Sequence, residues 1–189
     1  IANCLVGSEM CIRDRPGVVE RSGETSNLKV DISKFFDKTY TLEQGYVEGG
    51  DILRINNHFI IGISGRTNET GAKNLSNIIE KNGGTSEIAI TPENTLHFKS
   101  ECSLLDEETI LATDNLIKSD FFNKKYRIIK VPKGEETGAN CLRINEHLLI
   151  PKGYDRLLDL VSKDYKVRVL DVTEMEKVDA GLSCLSLRW

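Results

Sequence analysis

Apolar and polar positions follow two different periods along this chain, and the switches between them mark out its elements. Residues 51–63 read DILRINNHFIIGI, two short apolar runs flanking Asn56-Asn57, the pattern of a β-hairpin turning at the asparagines. From 67 to 81 the spacing becomes helical, with Ala72, Leu75, Ile78 and Ile79 on one face. Thr67 or Asn68 is placed to cap that helix, and Gly83-Gly84 to stop it. Residues 86–91 form a short strand pattern, 104–112 a second hairpin turning at Asp106-Glu107-Glu108, and 126–131 a strand. Residues 141–150 read as a third hairpin, 155–163 as a helix and 166–172 as a strand. A helix is also expected over 24–36, where Leu28, Ile32, Phe35 and Phe36 share a face. The final apolar run, which holds Cys184, is expected to be a strand.

The pattern repeats. Leu53-Arg54-Ile55-Asn56-Asn57-His58 and Leu142-Arg143-Ile144-Asn145-Glu146-His147 agree at five of six positions, and apolar strand residues follow each. The unit of hairpin, helix and strand recurs with a period of about 45 residues, the signature of a repeating α/β array. Short repeated α/β units suggest a radial array whose strand ends and loops point at a common axis, so residues distant in sequence can converge there. A doubly wound parallel sheet is the competing architecture, but it would lack the hairpins. His58 and His147 occupy equivalent places in the repeat and read as structural.

Residues 1–14, IANCLVGSEMCIRD, show neither period, and 5–15 resemble the in-frame translation of a sequencing-library adapter. The expectation is a non-native segment over 1–14, with Cys4 and Cys11 carrying no function, followed by one incomplete α/β catalytic domain over 15–189.

Composition narrows the function. The 189 residues are 39% hydrophobic and 29% charged with a net charge of -4, so the chain has an ordinary globular balance and no basic footprint for nucleic acid or an anionic membrane. No apolar run approaches the ~20 residues that span a bilayer. Five cysteines, odd in number and widely spaced, make neither a disulfide framework nor a metal spacing, which points to a reducing cytoplasm.

Four stretches could carry chemistry. Cys184 lies among Gly181, Ser183 and Ser186, small residues that would keep a sulfur accessible, with Asp179 on the approach. Glu48-Gly49-Gly50-Asp51 opens the first hairpin, and its flanking acids could orient a histidine or bind a cation. Ser64 to Glu69 joins strand to helix and sets Arg66 where it could grip a carboxylate. In Leu96-His97-Phe98-Lys99, strand alternation would put His97 on the face opposite Leu96 and Phe98. Alone, three of these stretches read better as structural, a buried inert cysteine, a glycine turn and a core or surface histidine, and Arg66 reads equally as a surface arginine. Together, a Cys with a His and a carboxylate elsewhere in the chain is the general pattern of a cysteine nucleophile. It does not say what is attacked.

Several blocks resemble dimethylarginine dimethylaminohydrolases, of the guanidino-group-modifying (pentein) superfamily. They are Arg15-Pro16-Gly17 with Arg21, Glu48-Gly49-Gly50-Asp51, Ser64 to Asn68, Leu96-His97-Phe98-Lys99, Ala139-Asn140-Cys141, Leu149-Ile150-Pro151 with Gly153-Tyr154, and Val178 to Leu187, in unbroken order. The resemblance implies a five-bladed α/β propeller, here lacking most or all of its first blade. It implies conversion of methylated arginine to citrulline and dimethylamine through a covalent cysteine thiouronium, with no metal or organic cofactor and a small molecule as the partner. By motif position it assigns Cys184 as nucleophile, His97 as general acid and base, and Glu48 as the acid orienting His97. It assigns Arg21 and Arg66 to the substrate α-carboxylate and Val178 to a backbone contact with substrate. Ala180 departs from the glycine often found there, one methyl that narrows the pocket without removing a chemical group. Family members carry acids upstream of the Arg-Pro-Gly block that face the guanidinium, and their loss would leave this chain with little activity. An arginine deiminase-like hydrolase and a truncated, non-catalytic arginine-binding protein are the alternatives.

Overall fold

The structure, a computed structural model, describes residues 10–13, 16, 36, 38–119, 121–122 and 125–186. They fall into two compact units, one up to residue 98 and one of residues 99–186.

In the first unit β1 (Met10–Arg13) pairs parallel with β2 (Lys38–Thr41), so a strand forms inside the stretch expected to carry none. Next come β3 (Ile52–Ile55) and β4 (His58–Ile63), an antiparallel hairpin turning at Asn56, whose φ of 54° is the left-handed conformation that asparagine tolerates. Helix α1 (Glu69–Lys81) follows, then β5 (Thr85–Ile90), which runs parallel to β4. Asn68 is the cap of α1: its Oδ1 accepts from Gly71 N at 2.9 Å, while Thr67 is used elsewhere. The 3.6-residue period of α1 puts Ala72, Leu75 and Ile79 against Leu42, Val47, Ile52, Phe59 and Ile61, all buried. Each fully buried Leu or Ile contributes roughly 1.5–3 kcal/mol.

The second unit holds the same arrangement twice. β6 (Cys102–Leu104) and β7 (Thr109–Ala112) form a hairpin, α2 (Asp114–Lys118) follows, and β8 (Arg127–Lys130) lies parallel to β7. Then β9 (Leu142–Ile144) and β10 (His147–Pro151) form a hairpin, α3 (Asp155–Val161) follows, and β11 (Lys166–Leu170) lies parallel to β10. The core joins Leu105, Leu111, Val131, Leu148, Ile150, Leu157 and Val161. Among the described residues, the α/β repeat of hairpin, helix and parallel strand is therefore present three times. His58 and His147 keep equivalent places in it, each opening its strand opposite Ile55 and Ile144 respectively.

Three expectations change. Cys184 is not in a strand: Leu182–Leu185 is a 3₁₀ turn, closed by Cys184 N donating to Gly181 O at 3.0 Å. His97 is not in an alternating strand either. Phe98, at 0% exposure, opens a 3₁₀ turn over Phe98–Ser100, whereas Leu96 is 40% exposed, so these two do not share a face. Finally α2 and α4 (Thr173–Glu176) form where none was expected. The helix expected over 24–36 lies outside the described residues, apart from Phe36. Among the described residues, no helix is long and apolar enough to cross a membrane.

Candidate active site

The first unit gathers a charged cluster around His97. Gly49–Asp51 is a 3₁₀ turn, closed by Asp51 N donating to Glu48 O at 2.9 Å, and it brings Glu48 and Asp51 to the same side of the hairpin. His97 lies between them. Its Nδ1 is 3.3 Å from Asp51 Oδ2 and its Nε2 is 3.5 Å from Glu48 Oε2. The two carboxylates are almost wholly enclosed, with Asp51 at 0% and Glu48 at 3% exposure. A carboxylate only accepts hydrogen bonds, so a proton on Nδ1 can be donated to Asp51. Nε2, at 3.5 Å, stands beyond a normal hydrogen bond from Glu48.

Asp51 is the hub of this cluster. Its Oδ2 also accepts from Ser64 Oγ at 2.8 Å and Thr67 Oγ1 at 2.6 Å, and its Oδ1 from Phe98 N at 2.8 Å. Those bonds fasten the strand-to-helix junction, the glycine turn and the His97 backbone to one buried group, and they satisfy its charge. Thr67 Oγ1 in addition accepts from Glu48 N at 3.0 Å, which fixes the backbone of the second carboxylate. Arg66 projects from the same junction. Its side chain is 32% exposed, and its Nη1 is 3.7 Å from Glu48 Oε1, leaving guanidinium edge open to solvent. The structure thus brings together Glu48, His97 and Arg66. It adds Asp51, which the sequence signalled only as one of two acids flanking a glycine pair.

The second unit holds Cys184 and Val178. Cys184 is partly exposed on its 3₁₀ turn, whereas Cys102 and Cys141 are buried. Burial pushes the Cys141 thiol up to about 12 and the Cys102 thiol higher still, so both stay protonated and inert. Val178 is 72% exposed. Gly181 does not leave open space beside the sulfur as its small size suggested, because the side chain of Asn140 occupies the place of its missing methyl. Arg21 lies outside the described residues.

The chain is similar to known proteins over most of its length. Residues 28–149 match the family described as arginine deiminase. The chain is 35% identical over 188 residues to a dimethylarginine dimethylaminohydrolase of Pseudomonas aeruginosa, covering 98% of this chain and 73% of that one. It is 28% identical over 190 residues to the enzyme of the same name in Streptomyces coelicolor, covering 97% and 70%. The solved structure of the P. aeruginosa enzyme, a cysteine-to-serine mutant complexed with citrulline, superposes with a TM-score of 0.93 at 34% identity, over 100% of this chain and 74% of that one.

Proposed function

Because this chain belongs to the arginine deiminase family and, within it, to the dimethylarginine dimethylaminohydrolases, we propose that it hydrolyses Nω-methylated arginine to citrulline and dimethylamine. The observation that carries the proposal is His97 flanked at its two ring nitrogens by enclosed carboxylates, beside an arginine with open guanidinium edge. That is the equipment for moving protons next to an amino acid whose carboxylate must be gripped.

The roles follow from the chemistry. A guanidinium carbon is a poor electrophile and calls for a thiolate, and Cys184 is partly exposed where Cys102 and Cys141 are buried. The Cys184 thiol proton passes to Nε2 of His97 as the sulfur bonds to the guanidinium carbon, giving a tetrahedral adduct. Nε2 of His97 delivers a proton to the dimethylamino nitrogen, the C–N bond breaks, dimethylamine departs, and an S-alkylthiouronium remains on Cys184. Nε2 then takes a proton from water as its oxygen attacks the same carbon. The C–S bond breaks, the thiol is restored and citrulline leaves. Glu48 and Asp51 hold the imidazole ring in one orientation throughout. Arg66 and Arg21 bind the α-carboxylate, and the backbone at Val178 lines the substrate. The residues need no cofactor for this sequence of steps. Free thiols suit the cytoplasm.

A second reading is favoured by the family match itself: the same groups would deiminate arginine, releasing ammonia. A third is binding of arginine without turnover. The test is to supply the full-length protein with asymmetric dimethylarginine and, separately, with arginine, and to measure citrulline, dimethylamine and ammonia. Dimethylamine at a rate far above ammonia supports the proposal. Ammonia from arginine as the faster product favours the deiminase, and ligand-induced stabilisation without product favours the binding protein.

A further inference from the structure

Ala139-Asn140-Cys141 marks the resemblance to the family, yet none of the roles above uses it. We infer that Asn140 is the positioning residue for Cys184, an inference resting on the reading of Cys184 as nucleophile. Two contacts lead there. Asn140 Oδ1 accepts a hydrogen bond from Ser183 N at 2.9 Å, the residue immediately before the cysteine and 43 positions from Asn140. The Asn140 amide also packs against Gly181, where a methyl group would lie 2.4 Å from Cγ and from Nδ2. Asn140 therefore grips the turn at Gly181 and at Ser183, and the bond from Cys184 N to Gly181 O at 3.0 Å passes that grip on to the nucleophile.

Asn140 is itself held firmly. Ser103, buried on β6, donates from Oγ to Ala139 O at 2.5 Å and accepts from Cys141 N at 2.9 Å. Ala139 and Cys141 are buried at 0% and 3% exposure, so the asparagine stands between two residues anchored in the core of the unit. A single 3₁₀ turn has weak internal hydrogen bonding. Tying it to this clamp sets where the sulfur sits, and positional error of ~1 Å can cost about a hundredfold in rate.

The experiment compares Asn140→Ala, Asn140→Asp and Gly181→Ala with the parent full-length protein, beside Cys184→Ser. Kinetics on dimethylarginine, melting temperature and the rate of Cys184 alkylation by iodoacetamide are measured for each. Asn140→Ala is expected to lose about a hundredfold in kcat with little change in KM, at unchanged melting temperature and with an altered alkylation rate. Asn140→Asp keeps the acceptor and is expected to recover most of kcat. Gly181→Ala forces the amide away from the other side and is expected to lose kcat as Asn140→Ala does, which keeps the test alive if the latter fails to fold. Parental kcat in Asn140→Ala or Gly181→Ala overturns the inference. So does failure of Asn140→Asp to rescue, or a fall in kcat matched by a fall in melting temperature across all three. An active Cys184→Ser would instead overturn the nucleophile assignment, and this inference with it.

Discussion

The ring of His97 lies against the backbone of Gly50 so closely that a methyl group there would sit 2.5 Å from the imidazole Cγ. No other residue type leaves the ring where Asp51 and Glu48 can flank it. Gly50→Ala is expected to fold, because the methyl meets a side chain that can swing away. It is also expected to lower kcat by about a hundredfold, since the swing takes Nε2 out of register with the substrate. Parental kinetics in this variant would show that the ring orientation is unimportant.

The thiols should differ in reactivity as their burial does. An amidine-based alkylating agent is expected to label Cys184 in native protein and to leave Cys102 and Cys141 untouched, which peptide mapping by mass spectrometry would show. Both of the latter are buried, with thiols pushed far above neutral pH. Labelling of either before Cys184 would remove the assignment of the nucleophile.

Arg66→Lys tests the carboxylate grip. Lysine keeps the charge but cannot form a two-pronged hydrogen bond. The expected loss is ~1.5–3 kcal/mol in substrate binding, or roughly ten- to a hundredfold in KM, with kcat changed much less. Unchanged KM would mark Arg66 as a partner of Glu48 only.

Glu135 gives a prediction about stability and pH. Burial pushes its carboxyl up, but the N–H of Leu157 at 2.8 Å and the backbone and side chain of Arg156 outweigh it and hold the group below the ordinary 4.5. These bonds satisfy the start of α3. A carboxylate whose folded pKa is depressed contributes stability above its unfolded pKa and loses that contribution as pH falls through the folded one. Glu135→Gln should therefore melt below the parent at pH 7, and the gap should narrow as the pH falls below 4.5 and close once it is below the depressed folded pKa. A gap that stays constant with pH would mean the charge contributes nothing.

Legibility in the sequence depended on whether the deciding interaction is local. The hairpins, their asparagine turns and the strand after each helix were readable, because two-residue and 3.6-residue periods and a repeated six-residue stretch report on neighbouring residues. The α2 and α4 helices were not, since Asp114–Lys118 and Thr173–Glu176 are too short to show a period. The turn at Cys184 was missed because its partner, Asn140, lies 43 residues away. Asp51 was noticed only as an acid beside glycines, because what makes it a hub is a contact with His97 across 46 residues. The cluster of Glu48, His97 and Arg66 was reached through family resemblance, and the structure supplies the physical reason for it.

The central claim is that Cys184 forms a covalent thiouronium with the substrate carbon, and the most direct measurement is to trap it. Full-length protein turning over asymmetric dimethylarginine is quenched in acid, digested and analysed by mass spectrometry. The predicted result is an adduct on the peptide containing Cys184, heavier than the free peptide by the mass of dimethylarginine less that of dimethylamine, which disappears in Cys184→Ser together with citrulline. Citrulline forming at full rate with no adduct on Cys184, or with the adduct on another residue, would contradict it.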